Sequence, residues 1–320
     1  MPEGDAIRRL AGTITELFEG GGVVASSPQG RFAASAARID GKVLQAVRVH
    51  GKHMFIGFVA EGERGTTPEE WMHIHLGLYG WWRFNGDETV VDEGYGVAHR
   101  VPPVPAGEWN GHSETRWGEG FGEAEAGTWE PPAPVGQVRF RMYNAHAVAD
   151  LVGPNRCELI TDAEREAVEA RLGPDPLERG ARDDEDAAAR FAETAHAKKR
   201  AIGEIVMDQS IIAGVGNIYR ADALFLAGIS PYRKGANVSV KRLKELWVLI
   251  CDLMNRGLAA GRLETMDPDE APNPPLEGDE EASRWYVYHR TGRPCLRCGT
   301  PIREALMQNR RLFWCPSCQR

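Results

Sequence analysis

The sequence predicts an α+β protein: an N-terminal helix on a two-layer β-sandwich, then a helical region, then a small module built on four cysteines. Three observations carry this. Apolar residues recur at intervals of three and four over residues 5–19, the period of a half-buried helix. They alternate in short runs between 43 and 143, and helical spacing returns between 161 and 258, so strands precede helices rather than alternating with them. Four of the six cysteines then fall as Cys295-x-x-Cys298 and Cys315-x-x-Cys318.

Each element follows in turn. Ile7, Leu10, Ala11, Ile14, Leu17 and Phe18 form one helical stripe, and Gly20-Gly21-Gly22 stops it. Val43, Gln45, Val47 and Val49 share a strand face. His50-Gly51-Lys52 makes a turn, and Met54, Ile56 and Phe58 alternate beyond it. Further strands are expected at 71–76, 81–84 and 138–143. Residues 93–136 are rich in Gly, Pro, Glu and Trp without periodicity, which reads as a long insertion. Residues 161–172 are amphipathic, with Asp162 and Glu164 placed to favour a helix N-terminus. An acidic linker is expected at 183–186, helices at 198–209, 217–227 and 240–258, and a Pro- and acid-rich linker at 264–283. The domains so defined are 2–150, carrying the insertion, then 151–283 and 284–320.

The 320 residues are 42% hydrophobic and 26% charged, which excludes a disordered, collagen-like or disulfide-miniprotein chain. No apolar run approaches the ~20 residues of a membrane helix, and no basic-then-apolar leader opens the chain. The expected location is the cytoplasm. The net charge of −8 conceals a split, because residues 195–262 hold eleven Lys and Arg against five Asp and Glu, and 284–320 hold eight Arg against one Glu. A polyanion responds to such local patches rather than to the average.

The cysteine quartet is the strongest local signal. Two Cys-x-x-Cys knuckles supply the four soft donors of a tetrahedral Zn²⁺ site, and four thiolates leave no open position, so one zinc ion would be structural. A redox pair or free thiols would be the alternative. Gln209 to Arg220 form a second motif, in which Gly214 and Gly216 bare the backbone ahead of a helix N-terminus, with Asn217 as its expected cap. Such a turn suits an anion; an ordinary helix–turn–helix packing element has the same pattern. It is a poor dinucleotide-binding loop, because no strand precedes Gly214 and the third glycine is missing. The third signal is Met1-Pro2-Glu3: with Met1 removed, Pro2 offers a secondary amine beside a carboxylate. An α-amino group has a pKa of about 7.7–8.0, so about a tenth is neutral at pH 7 and can attack a carbonyl-like carbon.

Taken together these motifs resemble the formamidopyrimidine-DNA glycosylase and endonuclease VIII family of base-excision repair enzymes. Pro2-Glu3-Gly4 is similar to its endonuclease VIII branch. Lys198 to Ile202 and Gly214 to Tyr219 resemble its helix–two-turn–helix element, and Arg310 to Cys315 the tail of its zinc finger. The resemblance implies a sandwich domain, a helix–two-turn–helix domain and a four-cysteine zinc finger, with damaged double-stranded DNA crossing between the halves and no nucleotide cofactor. It implies a glycosylase and abasic-site lyase acting by β,δ-elimination. Pro2 matches the nucleophile at C1′, and Glu3 the carboxylate working on the opening sugar. Lys52 matches the lysine on the lesion's phosphate, Arg310 the finger arginine and Asn217 the asparagine holding backbone phosphates. Leu78 and Tyr79 match the wedge that fills the space of an extruded base, although core packing at a strand end would also suit them.

Residues 141–146 lack the Arg-Arg-Phe cluster of the 8-oxoguanine branch, so oxidised pyrimidines and abasic sites are the expected substrates. The competing readings are an 8-oxoguanine/formamidopyrimidine glycosylase and a non-catalytic binder of damaged DNA. His73 and His75 show no third metal ligand and read as strand histidines. Asp5 and Ala6 depart from the family's usual Pro and Glu, and Arg156 is only loosely near its DNA-contacting arginine. A monomer bound to the nucleoid through DNA is expected, with no membrane contact.

Overall fold

A computed structural model describes residues 2–87, 90 and 129–320. The described chain groups into two compact units: Pro2 with 6–170, and Glu3–Asp5 with 171–320. Of the expected insertion at 93–136, residues 93–128 lie outside the described residues.

In the first unit, helix α1 (Gly4–Phe18) is stopped by Gly20 at φ 74°, a conformation open to glycine. Two four-stranded antiparallel sheets follow. One has the order β2 (Val43–His50), β3 (His53–Val59), β4 (Glu70–His75), β8 (Arg156–Thr161). The other runs β1 (Val24–Ser26), β6 (Val138–Tyr143), β7 (Ala147–Val152), β5 (Trp81–Gly86). Alternation decides which face is core. Met54, Ile56 and Phe58 of β3, Met72 and Ile74 of β4, and Phe140 and Met142 of β6 share one buried cluster with Ile7, Leu10, Ile14 and Phe18 of α1. The intervening positions of the first sheet point the other way. There Phe55 and Trp71 pack together under α3 (Asp162–Glu169). Thr161 caps α3 in a reciprocal box with Glu164, and Asp162 accepts the Trp71 indole N–H at 2.8 Å.

Short β1, β7 and β8 and helix α2 (Ala33–Ile39) were not expected from sequence. Each is only three to seven residues long. Two expectations in the second unit are corrected. The acidic run 183–186 is not a linker but the start of α4 (Glu185–His196), where Asp184 accepts the N–H groups of Asp186 and Ala187. Acids belong there, because free N–H groups and the helix dipole favour negative charge. Residues 198–209 hold only the short α5 (Ile202–Ile205). Asp208 turns the chain out of a helix by accepting both the N–H and the hydroxyl of Ser210, the local competition that Asp offers against helix. Helices α6 (Asn217–Leu226) and α7 (Val240–Ala259) and the hairpin β9 (Arg303–Met307) and β10 (Arg310–Trp314) complete the unit. No helix among the described residues is long and apolar enough to cross a membrane.

Candidate active site and metal centre

The geometry centres on the N-terminus of α6. Glu3 is 2% exposed. Its carboxylate accepts the N–H of Gly216 at 2.8 Å and of Ile218 at 2.9 Å, while the Gly4 N–H donates to the Gly214 carbonyl at 3.0 Å. A carboxylate therefore takes the orphan amides that a helix N-terminus exposes. This corrects one expectation: Gly216, not Asn217, is the cap residue, and Asn217 is the first residue of the helix. With the amides held by Glu3, the Asn217 side chain turns elsewhere and donates to the Arg311 carbonyl at 2.8 Å. Glycine is required at 216, because a Cβ there would lie 2.6 Å from both oxygens of Glu3. Gly214 sits at φ 83°. Gln209 braces the loop, accepting from the Gly214 N–H and donating to the Val215 carbonyl.

Arg220, one turn into α6, belongs to the sequence motif but had no role assigned to it. It is almost fully buried, donates to the Asn217 side-chain oxygen and the Arg311 carbonyl, and leaves Nε and Nη1 without a hydrogen-bond partner among the described residues. Burial, followed by the neighbouring charge of Arg310, lowers it to about 10, with Glu3 opposing. The signal in the sequence was an arginine flanked by Tyr219 and Ala221.

Asp222 on the same helix is buried and accepts the N–H groups of Tyr286, Val287 and Tyr288. It thereby fixes the segment that leads into the cysteine module. The β9–β10 hairpin turns at Gln308 and Asn309, both with positive φ, the geometry of a tight hairpin turn. Arg310 is the first residue after that turn. Arg311 pairs with Glu304 through two nitrogens, at 2.5 and 2.8 Å.

Asp5, a departure from the family pattern, is fully buried. A Cβ on Gly257 of α7 would come within 3.3 Å of its Oδ2 and crowd the Tyr219 hydroxyl. The substitution is thus matched by a glycine on the facing helix.

The four cysteine sulfurs lie within 4.8 Å of one another, the only group of three or more metal-ligating side chains found among the described residues. Cys295 and Cys318 are 3.8 Å apart and Cys298 and Cys315 3.5 Å. A tetrahedron with Zn–S bonds of about 2.3 Å has edges of about 3.8 Å, so the residues fit that metal.

The first unit carries the remaining expected residues. Pro2 is partly buried. Lys52 is buried in the two-residue turn between β2 and β3, beside Gly51 at φ 58°. Leu78 is 59% and Tyr79 83% exposed, so neither is core packing at a strand end. They sit on the turn between β4 and β5, where Gly77 has φ 67°. Arg156 lies on β8 opposite His75 and pairs with Glu158.

A sandwich led by Pro2-Glu3, a helix N-terminus that grips Glu3 and a four-cysteine hairpin together define a class of DNA glycosylase. The family model "Formamidopyrimidine-DNA glycosylase N-terminal domain" matches residues 1–148 and the corresponding H2TH domain model matches 172–268. The protein named endonuclease 8 1 of Mycobacterium tuberculosis is 37% identical over 319 residues, spanning 100% of both chains. The chain therefore belongs to the formamidopyrimidine-DNA glycosylase and endonuclease VIII family of base-excision repair. The formamidopyrimidine-DNA glycosylase of Desulfitobacterium hafniense is 35% identical over 150 residues, 47% of this chain and 52% of that protein. Among solved structures, a Lactococcus lactis Fpg mutant in complex with Fapy-dG-containing DNA aligns over 100% of both chains with TM-score 0.69 at 18% identity. MutM (Fpg) from Thermus thermophilus aligns over 99% of this chain and 98% of its own, with TM-score 0.64 at 21% identity. These two establish a shared fold.

Proposed function

We propose that the protein is a bifunctional glycosylase and abasic-site lyase that removes oxidised pyrimidines from double-stranded DNA through a Schiff base at Pro2. The observation that carries this is Glu3: a buried carboxylate, next in sequence to the Pro2 nitrogen, held by two backbone amides. Binding it at a helix N-terminus stabilises the charged form without using a side-chain cation.

The chemistry proceeds in three stages. The neutral Pro2 nitrogen bonds to C1′ of an extruded nucleotide as the base leaves, and Glu3 moves the proton that opens the sugar ring. The resulting iminium on a secondary amine keeps a fixed positive charge and draws electrons from the sugar. Loss of a C2′ proton then expels the 3′ phosphate, with Lys52 holding the lesion's phosphate. A second elimination expels the 5′ phosphate, with Arg310 gripping it. Asn217 supplies a donor to the DNA backbone, held by the buried Arg220 behind it, and Leu78 and Tyr79 fill the vacated stack. The four cysteines hold one structural Zn²⁺, which when bound fixes the hairpin presenting Arg310. Elemental analysis should find one zinc per chain.

The endonuclease 8 name of the full-length relative supports oxidised pyrimidines over 8-oxoguanine. The test compares excision of thymine glycol with 8-oxoguanine opposite cytosine, in wild type and Glu3→Gln. Faster thymine glycol release, lost in Glu3→Gln with duplex binding intact, is expected. Faster 8-oxoguanine release would overturn the substrate assignment, and undiminished release by Glu3→Gln the mechanism.

A further inference from the structure

Four of the nine histidines meet on the outward face of the first sheet, at the end that carries Lys52. The register places them in a row: His50 of β2 opposite His53 of β3, and His75 and His73 of β4 opposite Arg156 and Glu158 of β8. Elsewhere on this face Phe55, Trp71 and Ile160 pack together, with Arg48 of β2 opposite Phe55 and over the Trp71 ring. Period-two patterning would place hydrophobic side chains at the histidine positions too. A buried imidazole in their place must be hydrogen-bonded to be tolerated.

The bonds form a directed chain. His73 is 1% exposed. Its Nδ1 lies 3.1 Å from Glu158 Oε1, and its Nε2 lies 2.9 Å from His53 Nδ1. An ionised carboxylate only accepts, so His73 Nδ1 carries the proton. A neutral imidazole has one donor and one acceptor, so His73 Nε2 accepts and His53 Nδ1–H donates. His53 Nε2 is then left as an acceptor. Arg156 completes the anchor, donating to Glu158 at 2.8 Å. The His53 ring also lies against the His75 ring at 4.9 Å between centroids.

The protonation states agree with this direction. Burial, then the neighbouring His73 and His75, lowers His53 to about 3. Burial lowers His73 to about 4 against its hydrogen bond to Glu158. Burial opposes the charge of Glu158, but hydrogen bonds from Arg156 and His73 outweigh it and keep the carboxylate below its ordinary value. His53 is consequently too weak a base to take protons at neutral pH. It serves as a fixed acceptor. His75 is lowered by burial and then by Lys52, which sets the lysine charge beside the same cluster.

We propose that Glu158, His73 and His53 form a hydrogen-bonded relay that holds the His53 ring against His75 at the sheet end carrying Lys52, making His53 and His73 positioning residues for that lysine during strand cleavage. The relay rests on the lyase reading above. It does not require His73 or His53 to touch DNA. A metal site is not implied, since the histidines bring no group of three ligand atoms together.

The test measures nicking of a duplex with one preformed abasic site, with kcat and KM determined separately. In His73→Leu, which keeps volume but removes both nitrogens, kcat should fall on the order of tenfold through mispositioning, with KM within about twofold. Glu158 is partly exposed, so its substitutions bypass any folding defect of the His73 variant. Glu158→Gln can still accept from His73 and should stay within about twofold of wild type, whereas Glu158→Leu should match His73→Leu. Wild-type kcat in Glu158→Leu, equal damage from Gln and Leu, or a loss confined to KM would overturn the relay. An inert wild type would instead overturn the lyase reading itself, and the relay with it.

Discussion

Glu3 joins two neighbouring roles, since its carboxylate is fixed by the amides of Gly216 and Ile218 while its own backbone follows Pro2. The fit leaves no space at Gly216, where a Cβ would stand 2.6 Å from each carboxylate oxygen. Gly216→Ala should therefore lower base release on the order of a hundredfold, by moving a group that must act within hydrogen-bond reach. Release at the wild-type rate would show that Glu3 is not used in the position described. Residue identity was legible here, because Pro2-Glu3 and the glycine turn stand out in sequence. The partnership between them was not, because it joins residues more than 200 positions apart, and no local pattern encodes it. The same distance explains why Asn217 was expected to cap its own helix: a better acceptor arrives from the other end of the chain.

At the scale of elements, the outward histidine row makes the first sheet acid-sensitive. His53 and His73 titrate near 3 and 4 when folded, against 6.5 as free groups. Above pH 6.5 both states are neutral and nothing is lost. As pH falls below that, the unfolded chain takes up protons that the folded sheet refuses, and stability declines until about pH 3, where His53 is protonated in the fold as well. Each such proton is worth about 1.4 kcal/mol per pH unit. Glu158, held below its ordinary value, acts in the same direction at lower pH. The melting temperature should fall between pH 7 and pH 5, and fall less in His73→Leu; an equal fall in both would contradict this account. Strand alternation revealed β3, β4 and β6 because their inward residues are strongly apolar. It missed β8, where the sequence reads Arg-Cys-Glu-Leu-Ile-Thr, and with it the anchor of the relay. Helix α4 was missed for a related reason: its acidic first turn resembles a solvated linker until the capping bonds of Asp184 are seen.

Over the whole molecule, charge follows function rather than the average. The net charge is −8, yet the second unit gathers Asn217, Arg310 and Arg311 around one helix N-terminus and hairpin, with Arg220 buried behind them. The family, the zinc-type cysteine geometry and the general order of sandwich, helices and finger were readable from motifs because each has fixed spacing. The short strands, the broken 198–209 segment and the histidine relay depend on tertiary contacts and were not. The central claim is that the Pro2 nitrogen is the nucleophile. It is tested by incubating protein with verified removal of Met1 with a labelled duplex bearing one abasic site, then adding borohydride. A stable covalent complex is predicted, absent from protein whose N-terminus is blocked. Tight binding with neither crosslink nor nicking would contradict the claim and favour a non-catalytic binder of damaged DNA.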